Sequence, residues 1–242
     1  MELLLQPTTF NVESTYGIDH WRIYEFSHLN IIGMPQNYQL DVYTPGEVAG
    51  LMPFELKKRI QEFEARKFAN EAQVISALSS EIFSELDNIE FNLSSVQSAQ
   101  QCSMDVQGSL CIDDMLTNDA SDLKTITPKN ALGSTQSLFA NNFMFNCART
   151  KQPVWARVLF KTRQFAWDID VFGEFLSSYR NKKICQIDIA NDLFNTLNQN
   201  LIGDHYLKVQ VQLTRRGGIE GNFLRCNQSS YSWLCNTRGV VQ

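Results

Sequence analysis

A cysteine at position 147 is the residue in this chain whose type and setting best suit covalent chemistry. It lies in the run FNCARTKQPVW, in which the seventh residue after it is Val154. A nucleophilic thiol needs a neighbour that lowers its pKa or relays its proton, because the thiolate is the reactive form. Valine can do neither. The run therefore combines a candidate nucleophile with an apolar residue where an acid or a base would be useful.

The other cysteines and the histidines indicate neither a metal site nor a disulfide framework. The six cysteines include no CxxC pair, and the three histidines, His20, His28 and His205, are not spaced with them as metal ligands. We therefore predict no bound metal, and we expect most of the thiols to be reduced and to pack as small hydrophobic groups.

Length and composition are those of a globular protein. The chain has 242 residues, 43% of them hydrophobic, enough for one large domain or two of ordinary size. Its net charge of −5 argues against a nucleic-acid-binding surface. No stretch reaches the roughly 18 uncharged apolar residues of a membrane span. The amino terminus MELLLQPTTF lacks the features of a signal peptide, so a cytoplasmic location is expected.

The first half of the chain changes from an alternating to a helical pattern. Residues 21 to 30 and 37 to 43 alternate apolar and polar side chains around the turn GMPQ, which predicts a β-hairpin. Residues 55 to 87 follow with helical periodicity, interrupted near the middle. A weaker pair of strands is predicted at 89 to 95 and 106 to 112.

The second half repeats this order. Strands are predicted near 138 to 149 and 154 to 163, helices near 170 to 180 and 184 to 200, and a further strand at 206 to 215. The order β-β-α-α-β-β, met twice, favours two tandem copies of one module. We place them at residues 1–133, including a polar linker, and at residues 134–242, which carry Cys147.

Four separate stretches resemble one known family. They are GIDHWRIYEFSHLNIIGMPQ, GSLCIDD, the segment from FNCARTKQPVW onward, and QLTRRGG with the downstream RCN. In this order and spacing they resemble the long form of QueF, the NADPH-dependent 7-cyano-7-deazaguanine reductase. The resemblance covers most of residues 17 to 242. It implies an α+β fold of two tandem tunnelling-fold (T-fold) modules, each an antiparallel four-stranded sheet with two helices on one face. It also implies a homo-oligomer, expected to be a dimer, that binds a small purine-like molecule.

The chemistry implied by the resemblance is the reduction of a nitrile to a primary amine in queuosine biosynthesis. In that family a cysteine thiolate attacks the nitrile carbon to give a covalent thioimide, and NADPH then supplies two hydrides. An aspartate seven residues after the cysteine handles protons, a histidine assists, and glutamates bind the purine-like edge of the substrate.

Carried over onto this sequence, the resemblance keeps the nucleophile and loses its partners. The cysteine aligns with Cys147, and the aspartate falls at Val154, so that Val154 and Trp155 are expected as apolar flanks of the thiol. The histidine and the following glutamate fall at Gln186 and Ile187. Glutamine forms hydrogen bonds but cannot shuttle protons near neutral pH, and isoleucine cannot replace a carboxylate.

The Glu-Ser-Lys-like cofactor signature of the family is also altered. Its nearest match is ELKKRI, which makes Glu55 a candidate substrate-binding residue and Lys57 a candidate NADPH-binding residue. An alternative alignment puts Met52 and Phe54 in place of the acid and the base. Glycines permit close backbone approach, and arginines pair with phosphate. The residues that could form such a turn for NADPH are Thr214, Arg215, Arg216, Gly217 and Gly218.

Three hypotheses follow from this pattern. The favoured one is a diverged protein that binds a 7-deazaguanine or another purine-like ligand at the Cys147 pocket without normal nitrile reduction. A second is an active reductase whose proton donors come from unaligned residues such as Asp168, Asp170 or Asp188. A third is an architectural subunit in which Cys147 is only a buried thiol.

Overall fold

A computed structural model describes most of the chain, and its fold is α+β, with a large mixed sheet and few helices. The described residues are 5–7, 16–45, 49–51, 53–84, 86, 89–95, 104–117, 126–201, 203, 205–214 and 217–228. Their strands are β1 (Leu5–Pro7), β2 (Tyr16–Asn30), β3 (Pro35–Pro45), β4 (Ala49–Leu51), β5 (Lys67–Phe68), β6 (Glu90–Ser95), β7 (Leu110–Cys111), β8 (Lys129–Cys147), β9 (Pro153–Ala166), β10 (Lys183–Ile184), β11 (Tyr206–Leu213) and β12 (Ile219–Cys226). Their α-helices are α1 (Pro53–Gln61), α2 (Glu71–Ala77), α3 (Ile169–Ser178) and α4 (Ile189–Asn198). None of the helices in this part of the chain has the length and hydropathy of a membrane span.

Ten of the described strands form one continuous sheet. Its main order is β10-β8-β9-β11-β12-β2-β3-β6, with β5 beside β2 and β7 beside β8. The two-residue strands β5, β7 and β10 pair in parallel with their neighbours, and the long strands pair antiparallel. Strands β12 and β2, from opposite ends of the chain, pair over eight positions and join the two halves of the sheet.

One face of the sheet carries the hydrophobic core. Alternation along each strand places the fully buried side chains of Trp21, Leu40, Val209 and Phe223 on this face. Helix α1 packs against β2, and α4 packs against β11 and β12. The described helices are short, so burial of their apolar sides against the sheet, rather than helix propensity, stabilises them.

Strands β2 and β3 also carry a buried polar network, at positions that alternate with those of the hydrophobic core. The imidazole Nε2 of His20 and the Nε of Arg22 each lie 2.7 Å from Oδ1 of Asp41. Gln39 donates to the other oxygen of this carboxylate, at 2.8 Å. Both oxygens of the Asp41 carboxylate therefore have polar partners, which offsets the cost of burying its charge.

Most predicted elements are present, with different lengths. The first hairpin is confirmed, and its strands are longer than predicted. The helical pattern of residues 55 to 87 contains α1 and α2, with β5 between them. Residues 129–137, which precede the strand predicted near 138 to 149, belong to β8. Strand β8 changes register with β9 between Ala131 and Thr135 and again between Ala140 and Phe143, which disturbs the alternation that identifies a strand.

Candidate functional site

Cys147 is the last residue of β8, where a tight turn leads into β9. Its backbone N–H donates to the carbonyl of Gln152 at 2.9 Å, and its own carbonyl accepts from the N–H of Lys151 at 2.8 Å. Lys151 adopts the left-handed conformation, with φ of 56°. The residue is 3% exposed. The hairpin therefore fixes the position of the thiol through main-chain hydrogen bonds.

The hairpin also places position 154 beside the thiol. Val154 pairs with Phe145, two residues before Cys147 on β8. Because side chains alternate along a strand, Phe145, Cys147 and Val154 lie on the same face, with Val154 diagonally across from the thiol. Trp155 is 44% exposed and belongs to the opposite face. The prediction that Trp155 flanks the thiol was therefore wrong, because adjacent residues of a strand point to opposite sides.

The two-residue strand β10 lies next to Cys147 and leads to the two positions aligned with the family's histidine and glutamate. In the parallel pairing of β10 with β8, Ile184 is the partner of Cys147. The N–H of Ala148 donates to the carbonyl of Ile184 at 3.0 Å. The chain leaving β10 then places Gln186 and Ile187 next to the thiol.

A small cavity adjoins the sulfur, and we call it the thiol cavity. Its volume is about 20 Å³, which is room for about one water molecule. Its lining consists of Pro53, Phe54, Cys147, Arg149, Cys185, Gln186 and Ile187. These described lining residues include no carboxylate and no imidazole. Arginine remains protonated in proteins, so Arg149 cannot exchange a proton.

The second thiol of this cavity is a weaker acid than an ordinary cysteine. Burial raises the pKa of Cys185, and the nearby Asp188 and Cys147 raise it further, while Arg149 opposes the shift. Cys185 therefore remains a thiol at neutral pH. No pattern in the sequence singles out Cys185, because it approaches Cys147 through the pairing of β10 with β8.

A larger cavity, which we call the central cavity, lies next to the thiol cavity and has a volume of about 300 Å³. Pro53, Phe54 and Gln186 line both cavities. Trp21 and Gly221 both line it, and they lie so close together that a Cβ at Gly221 would come within 2.7 Å of the indole ring. The lining is Trp21, Pro53, Phe54, Lys57, Thr150, Gln152, Val154, Gln186, Leu213, Thr214, Gly217, Ile219 and Gly221.

A third cavity, the glycine-turn cavity, has a volume of about 450 Å³ and shares Lys57 and Gly217 with the central cavity. The Lys57 amine donates to the carbonyl of Gly217. Gly217 has a φ of +56°, which favours glycine. The lining is Ile23, Tyr24, Ser27, Asn37, Lys57, Ile60, Gln61, Glu64, Gly217 and Gly218.

The structure brings together only some of the predicted site residues. Cys147, Gln186 and Ile187 line the thiol cavity, and Val154 lines the central one. Lys57 lines both larger cavities, whereas Glu55, half-buried on α1, lines none of the three. Arg215 and Arg216 lie outside the described residues. Phe54, which the alternative alignment put in place of the base, lines both cavities near the thiol.

The three aspartates considered as substitute proton donors differ in position. Asp168 caps α3 and lies 3.1 Å from the amine of Lys129. Asp170 is exposed in the first turn of the same helix. Asp188 is 3% exposed and is close enough to Cys185 to raise its pKa. Of these three carboxylates, Asp188 is the one that acts on a residue of the thiol cavity. The described residues contain no cluster of three or more potential metal ligands.

Comparison with known proteins agrees with the family resemblance of the sequence. No protein-family model matches the chain. Over most of its length it is similar to proteins named NADPH-dependent 7-cyano-7-deazaguanine reductase. It is 26% identical over 229 residues to the NADPH-dependent 7-cyano-7-deazaguanine reductase of Buchnera aphidicola subsp. Schizaphis graminum, covering 90% of this chain and 85% of the relative. The reductases of Rickettsia canadensis and Rickettsia typhi are 26% and 24% identical over 240 residues, covering 94% of this chain and 84% of each relative. The chain is therefore similar, over most of its length, to QueF reductases from which it has diverged considerably.

Proposed function

We propose that this QueF-like protein binds a 7-deazaguanine or a similar purine-like molecule in the central cavity beside Cys147, and that it does not carry out normal nitrile reduction. The observation that supports this proposal most strongly is the lining of the thiol cavity. Apart from the two thiols, its described residues offer no group that exchanges protons near neutral pH. Val154 and Gln186 occupy the places where the family resemblance puts an aspartate and a histidine.

The proton balance explains why these positions matter. When a thiol adds to a nitrile, a sulfur–carbon bond forms and the S–H proton ends on the nitrile nitrogen, so no outside proton is consumed. Reduction of the nitrile to an amine requires two hydrides at the carbon and two protons from outside: one more at the nitrogen, and one that returns to the sulfur when the thiolate leaves. Loss of a general acid or base typically costs ~10²- to 10⁴-fold in rate. The site therefore favours binding, and at most an adduct, over reduction.

The central cavity suits a planar heterocycle with polar edges. Its volume of about 300 Å³ lies at the lower end of the range for small-molecule sites. Apolar walls come from Trp21, Leu213 and Ile219, and hydrogen-bonding groups come from Gln152 and Thr214. Such a combination excludes water from the ring faces and fixes the orientation of the polar edge.

The residues at the glycine turn are compatible with NADPH, on which the relatives depend by name. The Lys57 amine would pair with a phosphate, and the absence of side chains at Gly217 and Gly218 would let that phosphate approach the backbone. When bound, NADPH supplies hydride. The assignment of Arg215 and Arg216 to the same phosphate is a prediction from sequence.

The proposed architecture is a pair of T-fold modules, residues 1–133 and 134–242, assembled as a homo-oligomer, most simply a dimer, in the cytoplasm. One feature supports the oligomer. The end strands of the sheet present main-chain groups that another copy could pair with.

Calorimetric titration with 7-cyano-7-deazaguanine, combined with NADPH absorbance, tests the proposed function. We expect saturable binding without NADPH oxidation. Thr214→Trp should fill the central cavity and weaken binding by about tenfold. Thr127→Trp, at an exposed position outside the cavity lining, is the matched control and should bind normally. Absence of binding would favour the architectural subunit, and formation of the aminomethyl product would show an active reductase.

The second candidate function, an active reductase, is favoured by one observation. Asp188 is buried and electrostatically coupled to Cys185 in the thiol cavity, so a small rearrangement could bring a carboxylate to the reacting atoms. In that case Asp188→Asn and Cys147→Ala would each abolish NADPH oxidation. Asp170→Asn, at an exposed carboxylate, would leave it unchanged.

A further inference from the structure

Phe54 lies where the thiol cavity and the central cavity meet. Cys147 lines the first cavity and Val154 the second, while Phe54 lines both, together with Pro53 and Gln186. The thiol cavity, at about 20 Å³, is too small for any organic ligand. A molecule seated in the central cavity therefore cannot reach the sulfur until the residues shared by the two cavities make room.

Of the three shared residues, Phe54 is the one that is free to move. Pro53 is buried, and its ring is bonded to the backbone nitrogen. Gln186 is half-buried, two residues beyond Ile184, which β10 holds against β8. The Phe54 side chain is 56% exposed in the first turn of α1. Exposed side chains change rotamer rapidly, and little packing opposes such a change here.

We propose that Phe54 is the gate that controls access to Cys147. In the closed position its ring covers the thiol and keeps it out of reach. When the ring swings towards solvent, the thiol cavity opens into the central cavity, and an electrophilic carbon can approach the sulfur. The gate also contributes to specificity, because the open position connects the thiol to the central cavity, and only molecules that fit this cavity can then reach the sulfur. This inference does not depend on the identity of the natural ligand.

Alkylation of the full-length protein by iodoacetamide tests the gate, with peptide mass spectrometry following each cysteine. The measure is the labelling rate of Cys147 divided by that of Cys226, which is also buried but lies outside the lining of both cavities. Phe54→Ala should raise this ratio by about tenfold, because alkylation requires access to the sulfur. Exposed Cys111 should label at the same rate in every variant.

Two further variants distinguish the loss of the ring at position 54 from a general loosening of the fold. Phe54→Trp keeps a large ring at the gate and should leave the ratio at or below the wild-type value. Ile75→Ala truncates another exposed apolar residue, on α2, and should not change the ratio. General loosening of the fold would accelerate Cys147 and Cys226 together. An unchanged ratio in Phe54→Ala, or an increase in Phe54→Trp, would overturn the proposal.

Discussion

At the scale of single residues, the described lining of the thiol cavity contains no carboxylate and no imidazole, so adding such groups beside Cys147 should promote nitrile reduction. Val154 and Gln186 both line the central cavity. We expect Val154→Asp combined with Gln186→His to raise the rate of NADPH oxidation with 7-cyano-7-deazaguanine by about tenfold or more, since general acid–base groups contribute at least that much. Val154→Asn with Gln186→His is the control, because the amide is similar in shape but cannot donate a proton. An equal gain in the control would show that proton transfer is not the limiting factor.

The same residues show how far the sequence alone could predict the site. The spacing of seven residues between Cys147 and Val154 spans one hairpin, and a hairpin is a local structure, so its geometry follows from the pattern. Phe54 and Cys185 were not predicted as a wall of the thiol cavity. Their positions depend on the packing of α1 and on two main-chain pairs of β10, and neither has a periodic signal in the sequence.

At the scale of structural elements, the GSLCIDD segment supports the irregular strand that ends in Cys147. The Asp113 carboxylate accepts hydrogen bonds from the N–H groups of Asn141 and Asn142, at 2.8 and 3.0 Å, and from the Asn141 amide at 2.9 Å. These two asparagines lie at the second register shift of β8. Their N–H groups therefore find in Asp113 the partner that the ladder does not provide.

Asp113→Ala should lower the free energy of unfolding by about 1.5–3 kcal/mol at pH 7, as expected for lost hydrogen bonds to a charged group. Burial alone would raise the pKa of Asp113, but the hydrogen bonds from Asn141 and Asn142 hold it below its ordinary value. The contribution is therefore present above the unfolded-state pKa and is lost as the pH falls through the lowered value. Urea unfolding at pH 7 and pH 3 measures this, with the exposed neighbour Asp114→Ala as control. An equal loss at both pH values would contradict the assignment.

The strands show why the presence of an element was predicted better than the residues at which it begins and ends. The regular alternation of β2 and β3 identified the first hairpin, whereas residues 129–137 of β8 are polar and interrupted by a register shift. Their pairing with β9 supplies main-chain hydrogen bonds that side-chain patterns do not report. Strand β12 was not located either, since its residues are buried on both faces of the sheet and do not alternate.

At the scale of the whole molecule, a buried ion pair crosses the junction between the first and last long strands. Arg225 on β12 and Asp19 on β2 are each 1% exposed, and the guanidinium Nη1 lies 2.8 Å from the carboxylate Oδ1. Arg225 also donates to the side chain of Asn191 on α4. The pattern of elements predicts neither contact, because the partners lie far apart in the chain and their meeting depends on the complete sheet.

Removal of the arginine should therefore weaken the fold as a unit. Arg225→Met leaves Asp19 as a buried, uncompensated charge, and we expect a loss of about 3–5 kcal/mol at pH 7, in one cooperative unfolding transition. Burial raises the pKa of Asp19, and Arg225 opposes that shift, so the pKa should rise further in the variant. A carboxyl group with a raised folded-state pKa stabilises the fold at low pH and loses that contribution as the pH rises through the folded value. In urea unfolding, the free energy of unfolding of Arg225→Met should accordingly be closer to that of the wild type at pH 4 than at pH 7.

Two further variants serve as controls for the ion pair. Adding Asp19→Asn should recover part of the lost stability, and Arg157→Met, at an exposed arginine on β9, should cost little. A pH-independent difference between Arg225→Met and the wild type would show that lost packing, and not the unpaired carboxylate, weakens the junction.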